Sequence, residues 1–267
     1  MASVSECKQP SKRRIRALFL HGWGQDDQRV QRIVKDLSKK LSDVDVHGVM
    51  APVEVVPPSN SATTDAGSDG AAANLGRAWF YYNKDNPSDF AAALVQSEIQ
   101  YLHLDETIAY LASVFRDKGP FDCLIGFSQG AEIASILCYL GIQDAKSPFS
   151  SIRCAAFYSG LLIPLPTNKL LHSVYNRDTR LRLPTRHVLG KQDKFIENSN
   201  SLALAALYED AVIHIHDKGH IPPSGKQELD ELSAFIQRHA RNDPSGVTAS
   251  TRSDDASLQG ADAKKTS

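Results

Sequence analysis

The chain has 267 residues, 42% hydrophobic and 23% charged, which is enough for one large globular domain with its own core. A formal charge of -1 gives it no overall field for nucleic acid or an anionic membrane surface. No stretch reads as a signal peptide or a membrane span, and the four cysteines form no CxxC pair, so a cytoplasmic, reducing location with no metal is expected.

Residues 1–14 are polar and read as a disordered tail, with the basic run Lys12-Arg13-Arg14-Ile15-Arg16 at its end read as solvated. Ile15 to Leu20 then makes a buried strand that stops at His21-Gly22-Trp23-Gly24. From about Gln28 to Leu41, Val30, Ile33, Val34, Leu37 and Leu41 share one helical face. Val44, Val46 and Val49 follow as a second strand. Strand, helix, strand is how a parallel α/β sheet begins.

The stretch 52–76 is rich in Ser, Thr, Asn, Gly and Ala and is expected to be a loop insertion. Arg77-Ala78-Trp79-Phe80-Tyr81-Tyr82 is too aromatic for a linker, and a helical stretch is expected from about Ser88 to Phe115. These pieces are placed to cover a site, and Trp79 and Phe80 are candidate walls of an acyl pocket.

Cys123, Leu124 and Ile125 form an apolar run that leads into Gly126-Phe127-Ser128-Gln129-Gly130 and then a segment rich in Ala, Ile and Leu. A Gly-x-Ser-x-Gly match alone is common, whereas one between a strand and a helix is a nucleophile elbow. The two glycines let strand and helix approach, leaving Ser128 strained at the turn with its hydroxyl exposed. A serine in an ordinary Gly-rich turn is the plainer alternative.

Ile152 to Tyr158 reads as another strand, 161–183 as an irregular excursion, and Thr185 to Gly190 as a strand ending before Asp193. A helix from about Glu197 to Tyr208 precedes the strand Ala211 to His216, which ends before His220. Leu229, Leu232, Phe235 and Ile236 mark a last helix. The domain is expected to span 15–240, and 241–267 is too polar to fold.

A serine needs a base to take its proton and a third group to hold that base in the right tautomer. Ser128, then Asp193, then His220 follows the chain order of the α/β-hydrolase triad, each residue on a loop after a strand. Asp217 is the other candidate acid. His214 and His216 lie inside a strand and His21 precedes a turn, so none of them is the preferred base. Backbone N–H groups of Gln129 and Trp23 are the candidate oxyanion hole.

These motifs, His21-Gly22-Trp23, Arg77-Ala78-Trp79, Gly126 to Ala131, the Asp193 loop and Gly219-His220-Ile221-Pro222, together resemble the FSH family of serine hydrolases over about Ile15 to Ala240. The resemblance implies a mostly parallel α/β-hydrolase fold, esterase or thioesterase activity without a cofactor, and a triad of Ser128, Asp193 and His220. The expected partner is a small ester or thioester with an apolar acyl chain. Acyl-protein thioesterases and lysophospholipases share Gly-Phe-Ser-Gln-Gly and are the enzymatic alternative; a non-catalytic scaffold of the same fold is the alternative from another class. The residues give no reading of oligomeric state.

Overall fold

The computed structural model describes residues 13–55, 76–82, 101–162 and 180–241. Most of the two expected tails, most of the 52–76 insertion, the first part of the expected Ser88 to Phe115 helix and most of the 161–183 excursion lie outside the described residues. The elements are β1 (Ile15–Leu20), α1 (Asp27–Lys40), β2 (Val44–Gly48), β3 (Val53–Glu54), β4 (Arg77–Ala78), α2 (Leu104–Lys118) and β5 (Cys123–Phe127). They continue with α3 (Gln129–Gln143), β6 (Cys154–Tyr158), β7 (Thr185–Gly190), α4 (Asn198–Ala205), β8 (Ala211–His216) and α5 (Lys226–Ala240).

Among the described residues, six strands form a sheet in the order β2-β1-β5-β6-β7-β8, and every neighbouring pair is parallel. Helices cover both faces, which is why β1, β5 and β6 read as nearly continuous apolar runs, while β7 is buried although it carries Thr185, Arg186 and His187. Side chains alternate between two cores. Leu18, Leu20 and Leu124 face Ile133, Ile136 and Leu137 of α3 and Leu111 of α2 on one side. Ala17, Phe19 and Ile125 face Val30 and Leu37 of α1 and Leu232 and Ile236 of α5 on the other. Burying each such Leu, Ile or Phe contributes about 1.5–3 kcal/mol, so a truncation such as Phe19→Ala costs about 3–5 kcal/mol.

The chain starts at β1, moves outward to β2, and returns to the other side of β1 as β5. Adjacent crossovers therefore diverge at β1 and β5, and a crevice opens at the carboxyl ends of those strands. Both the turn after β1 and the elbow after β5 lie there. The helix α1 is set by Asp26, whose Oδ1 accepts the Arg29 N–H at 2.8 Å, with Asp27 in the first turn and Lys39 and Lys40 in the last.

Two local expectations are corrected. The loop expected from residue 52 contains β3, paired antiparallel with β4 through Val53 and Ala78. The helix expected from Ser88 to Phe115 is not continuous: Tyr101 to His103 are not helical, and α2 starts at Leu104. Leu102 instead bridges Tyr81, exchanging backbone hydrogen bonds of 2.9 and 3.0 Å, and His103 has φ +66°. The apolar spacing of this segment serves a bridge and a helix, which periodicity alone does not separate.

Candidate active site

Ser128 occupies the N-cap position of α3 with φ +55° and ψ -123°, a strained backbone for a residue with a Cβ. Its N–H donates to Tyr158 O at 2.8 Å, which ties the elbow to β6. Serine at an N-cap usually accepts from an amide of its own helix, but here its side chain makes no capping bond. The hydroxyl is left for other chemistry. The flanking glycines are required by close approach: a Cβ on Gly130 would lie 2.1 Å from Leu20 O, and one on Gly126 would lie 2.5 Å from Ala131 Cα.

Asp193 and His220 come together because β7 and β8 pair in register, with Gly190 opposite His216. The two loops are then stitched by Gln192 N–H to Lys218 O at 3.1 Å. His220 Nδ1 lies 2.8 Å from Asp193 Oδ2, which leaves Nε2 available. The same Oδ2 accepts from Ser159 Oγ at 2.7 Å, while Oδ1 accepts the amides of Phe195 and Ile196 at 2.9 Å each. Burial pushes this carboxyl up, but the bonds from His220, Ile196, Ser159 and Phe195 outweigh it and hold the pKa down at about 2. The imidazole is flanked by Phe127, with ring centroids 4.7 Å apart, and by Phe195 at 5.3 Å.

Asp217, the other candidate acid, points elsewhere. It is 84% exposed and pairs with Lys191 Nζ at 2.7 Å. His21 is buried in a single tautomer: Ala51 N–H donates to Nε2 at 3.0 Å, so Nδ1–H donates to Gly22 O at 2.7 Å. Burial lowers its pKa to about 4 and keeps it neutral beneath the turn.

Ser128, His220, Trp23 and Gln129 line one cavity of about 420 Å³. Ser128 Oγ and the His220 ring are not hydrogen-bonded to each other among the described residues; such contacts tighten when substrate binds. The Gln129 amide belongs to the first turn of α3, where N–H groups lack helical partners and the dipole favours negative charge. The Gln129 side chain is committed elsewhere: Oε1 accepts from Trp79 N at 2.9 Å and Nε2 donates to Phe80 O at 2.7 Å.

The expected acyl walls Trp79 and Phe80 are both 0% exposed and do not reach the cavity surface. Trp79 Nε1 donates to His21 O at 2.7 Å, so this ring braces the turn after β1 from within. The apolar wall is formed by Tyr82, Phe127, Leu161, Phe195 and Ile196. Phe195 is 73% exposed, a large ring at the rim beside His220.

Several contributors escaped the sequence reading. Glu132, one turn beyond Ser128, is 0% exposed and accepts from Tyr82 Oη and Tyr101 Oη at 2.8 Å each. Burial raises its pKa to about 8 against the lowering effect of the two phenols. The clue was an acid inside the apolar run Gly130 to Leu140. Ser159, with φ +45°, and the wall residues Gln25 and Arg29 carry no motif that would single them out.

His214, Glu228 and Glu231 also converge, with potential ligand atoms within 4.8 Å. Arg186 Nη2 already donates to Glu228 at 2.8 Å and to Glu231 at 2.6 Å. A buried guanidinium therefore neutralises the carboxylates that a cation would need.

Comparison with known proteins identifies the family and the fold. The family model described as serine hydrolase (FSH1) matches residues 11–232. Rhodanese-like domain-containing protein 6 of Arabidopsis thaliana is 31% identical over 255 residues, covering 88% of this chain but only 42% of that protein. Esterase OVCA2 of Xenopus tropicalis is 30% identical over 227 residues, covering 84% of this chain and 93% of that one. In architecture the chain is an α/β-hydrolase: esterase PE8 superposes with a TM-score of 0.55 at 20% identity, covering 85% of this chain and 93% of the other.

Proposed function

The chain belongs to the serine hydrolase (FSH1) family, and on that premise we propose that it cleaves carboxylic esters or thioesters through an acyl-enzyme on Ser128. The observation that carries this reading is a strained serine with an uncommitted hydroxyl, in one cavity with a histidine held at 2.8 Å by a buried aspartate. His220 Nε2 takes the Ser128 proton as Oγ attacks the carbonyl carbon. Asp193 holds the ring with Nδ1 protonated and stabilises the imidazolium that forms. The Gln129 and Trp23 amides receive the developing oxyanion. His220 then gives its proton to the leaving alcohol or thiol, and water repeats the sequence to free the acid.

The acyl chain lies against Tyr82, Leu161 and Phe195, where each buried CH₂ contributes about 0.8 kcal/mol. kcat/KM should accordingly rise with acyl length from acetyl to about octanoyl on 4-nitrophenyl esters.

Labelling by a fluorophosphonate tests the reading. The wild-type chain should label and the Ser128→Ala variant should not. A folded wild-type chain that neither labels nor hydrolyses any ester would instead be a binding scaffold. Matched oxygen esters and thioesters then decide the leaving group.

A further inference from the structure

Two polar residues on the cavity wall have no part in the hydrolytic steps. Gln25 is 6% exposed and lines the cavity, and its Oε1 is a buried polar atom without a hydrogen-bond partner among the described residues. Buried polar atoms are nearly always paired, and a half-turn of the terminal amide exchanges its oxygen and nitrogen, so this position can present the Gln25 NH₂ group to a bound anion. The residue is pinned in place: Arg77 N–H donates to Gln25 O at 3.1 Å, and Gly24 N–H donates to Arg77 O at 2.9 Å. These main-chain bonds hold the backbone of Gln25 and leave its terminal amide free to rotate.

Arg29, one helical turn on, lines the same cavity. Its backbone N–H is bonded to Asp26, whereas its guanidinium enters no ion pair among the described residues. No carboxylate stands on the described wall to neutralise it. The guanidinium fork matches carboxylate or phosphate oxygens, and the Gln25 amide offers a donor or an acceptor according to how it is rotated.

We propose that Gln25 and Arg29 bind an anionic group carried by the substrate, so that the preferred ester or thioester bears a carboxylate or a phosphate. This rests on the reading of the cavity as a hydrolase active site. The anion can come from the acyl part, as in a half-ester of a dicarboxylic acid, or from the leaving group, as in a coenzyme A thioester.

Two matched pairs distinguish these sources, each assayed as kcat/KM with the full chain. One pair is 4-nitrophenyl hydrogen adipate against 4-nitrophenyl hexanoate; the other is hexanoyl-coenzyme A against the hexanoyl thioester of N-acetylcysteamine. The wild type should favour the anionic member of one pair by about tenfold to a hundredfold, the range of a charge-assisted hydrogen bond. Arg29→Gln should abolish that ratio, Arg29→Lys should restore part of it, and Gln25→Leu should lower it by a smaller factor. Arg29 is exposed on α1, so its variants should fold, and the wild-type ratio needs no variant at all. Equal rates within both wild-type pairs would overturn the proposal, as would a preference that survives Arg29→Gln. Turnover of the neutral esters without anion preference would remove this site and leave the hydrolase reading standing. No turnover of any of the four, with Ser128 unlabelled, would end both.

Discussion

The loop after β7 and the first turn of α3 each bury a carboxyl group beside the candidate active-site cavity, and the two groups settle in opposite charge states. Asp193 receives two backbone amides, a serine hydroxyl and an imidazole, and its pKa falls to about 2. Among the described residues Glu132 receives only two phenols, and burial lifts it to about 8. Desolvation favours the neutral acid in both places; the number and kind of donors decides whether it wins. The outcome suits each region. In the proposed mechanism an anion is needed to orient and stabilise His220, whereas a neutral acid can tie Tyr82 and Tyr101 to the elbow helix without a buried charge.

The comparison breaks hardest at the acid itself. Asp193→Asn should lower kcat by about ten-thousandfold, because the amide no longer holds the working tautomer of His220. Steady-state turnover of a folded variant checks this. Activity near wild type would remove Asp193 from the triad.

Next comes the pH dependence of stability. Because the folded pKa of Glu132 is raised from 4.5 to about 8, folding is fully favoured below pH 4.5 and loses free energy as pH rises to 8, by at most about 5 kcal/mol. His21 and His187 act at the other end: burial lowers them from 6.5 to about 4 and about 3, so their contribution is present above pH 6.5 and is lost as pH falls below it. Urea denaturation from pH 7 to 8.5, above the pH range that the two buried histidines dominate, should therefore show the alkaline loss in the wild type and a flatter curve in Glu132→Gln. Equal slopes would mean that Glu132 is ionised throughout.

A smaller effect sharpens the donor argument. Ser159→Ala removes one of the four bonds to Asp193, which should raise the carboxyl pKa and reduce kcat/KM by about tenfold or less. The smallest effect belongs to Asp217→Asn. That side chain is exposed and pairs with Lys191 on the surface, so kcat/KM should change by less than about twofold. A dead Asp217 variant beside an active Asp193 variant would reverse the assignment of the acid.

The sequence by itself determined the sheet, the elbow and the chain order of Ser128, Asp193 and His220. Each depends on local chemistry: apolar runs for strands covered on both faces, glycines where backbones must touch, and loops that follow strand ends. Tertiary structure decided which of those residues meet. The register of β7 against β8 joins Asp193 and not Asp217 to His220, and no local propensity encodes a register between strands about twenty residues apart. Packing likewise decided that Trp79 braces the turn after β1 while Tyr82, three residues on, reaches the cavity. It also set the charge of Glu132, because desolvation depends on everything that surrounds a side chain, and a sequence pattern carries only its neighbours along the chain.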